Sequence, residues 1–190
     1  ELACASARSY EQLLKAIDNA FGFCQVQEAA LFFGATMFTP KEMWHVQFPD
    51  DMVNHIPSCH NRKEHQVIHQ TFKAIAAHEE LTESFARQFN PTNMYVMLKF
   101  ADVRKFRDLD DQFERKDFLD IPGMCHTSKI ILENDLTDTT MGNCCGNLRI
   151  DGASPLAKER QTADGEWYGF RNSVMGYKEV LVKGKTIWSK

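Results

Sequence analysis

At 190 residues the chain has the length of one ordinary domain, and its 43 % hydrophobic and 25 % charged residues are the balance of a soluble globular protein with a real core. The net charge is −4, with Lys and Arg scattered singly among carboxylates. That disfavours nucleic acid as a partner, because phosphate binding needs clustered cations. No apolar run approaches the ~20 residues needed to span a bilayer, and the most apolar segment, Ala29 to Phe38, is far too short, which excludes an integral membrane protein.

Ser9-Tyr10-Glu11-Gln12 reads as a capping box, with the Ser hydroxyl on the N3 amide and Gln12 reaching back. Tyr10, Leu13, Leu14, Ile17 and Phe21 follow at helical spacing up to Gly22, a natural left-handed stop. A second helix is expected from about Gln25 to Phe33, buried on most faces and ended by Gly34. Thr39-Pro40-Lys41-Glu42 has an N-cap Thr, Pro at N1 and Glu at N3, and predicts a short helix carrying Met43, Trp44 and Val46. Phe48-Pro49-Asp50-Asp51 predicts a further turn of helix through Met52, Val53 and Ile56, its acids complementing the N-terminal dipole rather than holding a metal.

Residues 59 to 90 form the longest stretch without Gly or Pro and hold four of the seven histidines. Val67, Ile68, Phe72, Ile75 and Ala76 share one helical face, whereas Leu81, Phe85 and Phe89 lie on a rotated one. Two helical pieces, or one kinked helix, are expected, with the change near Glu79 to Thr82. His65 and His69 stand one turn apart and could share a divalent ion such as zinc, with Cys59, His60, Glu64 or His78 as a third ligand. The spacing is that of a zinc protease, but Gln66 occupies the place of the general-base Glu and cannot take a proton from water.

Asn90-Pro91-Thr92 ends the helix, and Met94 to Phe100 alternates as a strand with one apolar face. Ala101 to Phe118 returns to helical spacing through Val103, Phe106, Leu109 and Phe113, with a charged outer face. Beyond Ile121-Pro122-Gly123 the segments are short and β-rich: Lys129 to Glu133, Asn147 to Ile150, Glu166 to Arg171 and Lys178 to Trp188. Asp151-Gly152, Asp164-Gly165 and Lys183-Gly184 are turn dipeptides, the last splitting its run into a hairpin of Val180 to Val182 against Thr186 to Trp188.

The expected class is therefore α+β, with N-terminal helices packed on one face of a mostly antiparallel sheet formed mainly by the C-terminal third. The whole chain, 1–190, reads as a single domain, helical over residues 1–120 and β-rich over residues 121–190, with strand 93–100 joining the sheet.

Six cysteines, at 4, 24, 59, 125, 144 and 145, are widely spaced and contain no CxxC. Their even number suits disulfides and tips the reading toward a secreted chain. Glu1, without Met or signal peptide, fits a processed chain and equally a trimmed one. Cys144 and Cys145 would point to opposite faces of a strand and take different partners. Cys125-His126 is adjacent in sequence, which is not the geometry of a thiolate–imidazole pair. Glu133 to Asp138 lacks the alternation and Gly of a calcium loop. GxGxxG, P-loop and GxSxG motifs are absent.

Fourteen Phe and eight Met, with no catalytic signature, point to a non-catalytic binding domain for a small apolar ligand or a protein partner. The alternative is a metal-dependent hydrolase centred on His65 and His69, and the sequence leaves open whether the chain is an enzyme.

Overall fold

A computed structural model describes residues 2–48, 69, 72, 73, 75–86, 92–101, 111–118, 121–134, 148–151, 165–176, 181, 182, 185 and 186. Its elements are α1 (Leu2–Phe23), β1 (Val26–Gly34), β2 (Pro40–Gln47), α2 (Glu79–Ala86), β3 (Asn93–Phe100), β4 (Phe113–Arg115), β5 (His126–Asn134), β6 (Leu148–Asp151), β7 (Glu166–Phe170), β8 (Leu181–Val182) and β9 (Lys185–Thr186). The first seven strands form one sheet in the order β4-β7-β3-β1-β2-β5-β6, and β8 and β9 pair as a separate hairpin. Within the large sheet only β2 and β5 run parallel among the described residues. The α+β class and the mostly antiparallel sheet are as expected, and β3 joins the early strands to the late ones through β1 and β7.

The centre of that sheet comes from residues whose pattern predicts helices. Residues 26–34 are buried on both faces of the strand, and from Ala29 to Phe33 both sets of alternating side chains are apolar, so the period-two signal disappears. Pro40 opens β2, where a strand tolerates a proline, and the Thr-Pro-Lys-Glu helix start misleads. Thr39 caps no helix: its hydroxyl lies 2.8 Å from that of Thr36, inside the turn joining β1 to β2. Gly34 has to be glycine, since a Cβ there would stand 2.7 Å from the Thr39 carbonyl oxygen.

α1 starts well before the Ser9 box, because Leu2, Ala3, Ala5 and Ala7 are strong helix formers and extend it upstream. It runs one residue past Gly22, and Cys24 N–H donates to the Ala20 carbonyl at 2.9 Å to close the last turn. Ser6 Oγ–H donates to the Met175 carbonyl and ties the helix to the segment after β7.

The residues predicted as helix from 101 to 118 include strand β4, with Phe113 fully buried beside β7; residues 102–110 lie outside the described set. The break in the 59–90 stretch falls at His78, directly before α2, and the expected turn at residues 49–56 lies outside the described residues. The remaining strands stand close to their predicted positions, with the hairpin across Lys183-Gly184 among them.

One face of the sheet meets the helices. Leu13, Ala16 and Ala20 of α1 pack against Ala29, Val96, Leu98, Phe100, Phe113, Tyr168 and Phe170. Leu81 of α2 packs on Trp44 and Ile130 of the same face, and Phe85 stacks on Trp44 at 4.7 Å and 9°. Glu42 is a buried carboxylate on this face and accepts the Trp44 indole N–H at 2.5 Å. On the other face a smaller core of Ala30, Phe32, Met43 and Met97 is covered by Phe118, Ile121, Cys125 and Trp167.

Candidate functional site

The face away from the helices carries a charged cluster at one end of the sheet. Glu28 of β1 stands across from Lys99 of β3 and from Gln47 of β2, with His45 two residues along β2. The Lys99 ammonium donates to Glu28 Oε1 at 3.0 Å, and His45 Nε2 lies 2.5 Å from Oε2. All three side chains are nearly buried, at 6 %, 13 % and 16 % exposure for Glu28, Lys99 and His45. Two buried acceptors flank them, since Gln27 Oε1 and Gln47 Oε1 have no hydrogen-bond partner among the described residues. A Cβ at Gly165, just before β7, would stand 2.9 Å from the Phe100 carbonyl oxygen, so only glycine fits there, with Gln27 Oε1 also close by. The rings of Phe118 and Trp167, 4.5 Å apart, lie beside the His45 imidazole.

A carboxylate shared by an ammonium and an imidazole holds its charge out of water because such partners offset the lost hydration. Sequence reasoning misses this cluster, whose members are 17 and 71 residues apart and meet only through the sheet register. The available signal is a single ionisable residue in each of three apolar runs, VQEAALFF, MWHV and MLKF.

At the opposite end of the same strands, about 20 Å away along β1, lies an open cleft of about 740 Å³. The β1–β2 turn contributes Thr36, Met37 and Phe38, β3 contributes Tyr95, and the exits of β4 and β7 contribute Lys116, Asp117, Phe170, Arg171 and Ser173. Phe38 is 72 % exposed at the rim. Tyr95 is fixed by its hydroxyl, which donates to the Ala35 carbonyl at 3.0 Å. Arg171 is oriented by Nε–H donation to the Phe113 carbonyl at 3.3 Å. The Lys116 ammonium contacts Glu114 at 2.6 Å, and that hydrogen bond, with the Lys116 charge, lowers the Glu114 pKa. The lining thus joins apolar rings and a thioether to two cations and one acid.

Of the predicted metal ligands, His69 is helical and exposed, and His65 lies outside the described residues with Cys59, His60 and Glu64. His78 is half-buried, and its Nδ1 has no hydrogen-bond partner among the described residues. Among the described residues no group of three or more His, Cys, Asp or Glu side chains could hold a metal ion. Among the described residues no disulfide joins Cys4, Cys24 and Cys125 to one another; Cys59, Cys144 and Cys145 lie outside them. Burial raises the Cys125 pKa, and its thiol points at the His126 carbonyl at 3.7 Å, not at the imidazole. That is the reverse of what activates a nucleophilic cysteine. Among the described residues no helix is long and apolar enough to cross a membrane.

No protein-family model matches the chain, and no curated protein matches it either.

Proposed function

We propose that the chain is a binding domain for a small amphipathic molecule with an apolar body and an acidic group, taken up in the cleft at the β1–β2 turn. The observation that carries this reading is the lining: Met37, Phe38, Tyr95 and Phe170 offer apolar surface, with Lys116, Arg171 and Asp117 beside them and Glu114 in contact with Lys116. A volume of about 740 Å³ falls in the range of small-molecule sites. An apolar body gains from leaving water there, and the planar guanidinium of Arg171 suits a carboxylate. The abundance of Phe and Met in the chain agrees with an adaptable apolar lining.

Calorimetric titration with decanoate and with decanol tests it. Decanoate should bind more tightly than decanol, Arg171→Met should remove that difference, and Phe38→Ser should weaken both. Failure of both ligands to bind would overturn the reading. Equal affinity for the acid and the alcohol would overturn the assignment of the acidic group.

A further inference from the structure

We infer that the molecule taken up in the cleft is a zwitterion, an apolar α-amino acid whose ammonium is answered by Asp117; the assignment rests on the reading of this cleft as a small-molecule site. Two cations and two acids stand there: Lys116, Arg171 and Asp117 line the cleft, and Glu114 holds the Lys116 ammonium at 2.6 Å. The four charges cancel. A carboxylate alone would add an unbalanced charge to this lining, whereas a molecule carrying both signs leaves it neutral.

The bonds already made within the protein decide which groups face the ligand. Lys116 and Glu114 answer each other. The Lys116 stem is also held down on the backbone of β7, since a Cβ at Gly169 would stand 2.9 Å from Lys116 Cδ. Arg171 spends Nε–H on the Phe113 carbonyl, and a guanidinium has five N–H donors in all, enough to serve a ligand carboxylate as well. Asp117 is exposed and makes no hydrogen bond or ion pair among the described residues. An ionised carboxylate only accepts, so its complement is a donor, and an ammonium matches it in charge too. A carboxylate and an ammonium on one carbon, each reaching the protein through a bond of ~2.8 Å, span about 8 Å. The cleft's volume of about 740 Å³ is that of a cube about 9 Å on a side. One amino acid can therefore meet Arg171 and Asp117 together, with its apolar side chain against Met37, Phe38 and Tyr95.

Calorimetric titration of the full chain at neutral pH with decanoate and with α-aminodecanoate is the test. An ammonium loses hydration on binding, so it helps only where an acid answers it. The parent should bind α-aminodecanoate roughly tenfold more tightly than decanoate. Asp117→Asn should reverse that order while leaving decanoate bound as tightly or more so, because a like charge has gone. Circular dichroism confirms that the variant keeps its fold. If decanoate binds and the amino group adds nothing, or if its gain survives Asp117→Asn, the inference is overturned and the cleft remains a site for acidic amphiphiles. If neither molecule binds, the reading of the cleft falls and this assignment falls with it.

Discussion

Phe100 and Lys99 are neighbours in β3 and point to opposite faces of one sheet. Phe100 is fully buried under α1, with Phe113 at 6.2 Å edge-on and Tyr168 at 5.5 Å. Lys99 is almost as deeply placed, yet it answers a carboxylate. The helix-covered face is held by area removed from water, which is non-directional and tolerates small shifts. The other face is held by bonds between specific atoms across three strands. A one-residue slip of β3 would turn Lys99 into the helix-side core and leave Glu28 facing an apolar side chain. Packing supplies most of the stability, and the Glu28–Lys99–His45 cluster fixes the register in which that packing occurs.

The largest effect is expected at the packed face. Phe100→Ala should lower stability by ~3–5 kcal/mol through lost burial and a residual cavity. Urea unfolding measures it, and a loss below ~1 kcal/mol would mean that Phe100 is not in the core. Lys99→Met, next door, should destabilise by ~3 kcal/mol despite adding apolar surface, because it takes away the ammonium that answers the buried Glu28 carboxylate. A neutral or stabilising result there would show the cluster to be dispensable.

An exposed ion pair provides the contrast. Arg115 lies 2.7 Å from Glu166, with side chains 69 % and 36 % exposed, so Arg115→Ala should change stability by less than ~1 kcal/mol. A larger loss would place that pair with the buried cluster rather than with the surface. Smallest of all, EDTA should leave the melting temperature unchanged. A drop reversed by zinc would support His65 and His69 as metal ligands.

The two faces also differ in how far they can be read from sequence. β3 is legible because its two faces differ, giving Met94, Val96, Leu98 and Phe100 against Tyr95, Met97 and Lys99. β5, β7 and the β8–β9 hairpin are legible because turn residues bound them. β1 is not, since it is flanked by β2 and β3 and covered on both faces, and its polar residues, Gln27 and Glu28, are adjacent and set no alternation. Pro40 serves a helix start and a strand start equally well, and β2 is hidden for that reason. The cleft depends on four separate segments meeting at one end of the sheet, an arrangement no local pattern encodes. The charged cluster is hidden twice over, because placing β1 and β2 in helices separates Glu28 and His45 from Lys99.

A double-mutant cycle on Glu28→Gln and Lys99→Met, followed by urea unfolding, tests that cluster most directly. If the ammonium and the carboxylate hold each other in a buried setting, the pair should be much less destabilising together than the sum of the single changes, with a coupling of ~2 kcal/mol. Losses that add to within ~0.5 kcal/mol would mean that the two residues do not depend on each other, and the register of the central strands would then need another explanation.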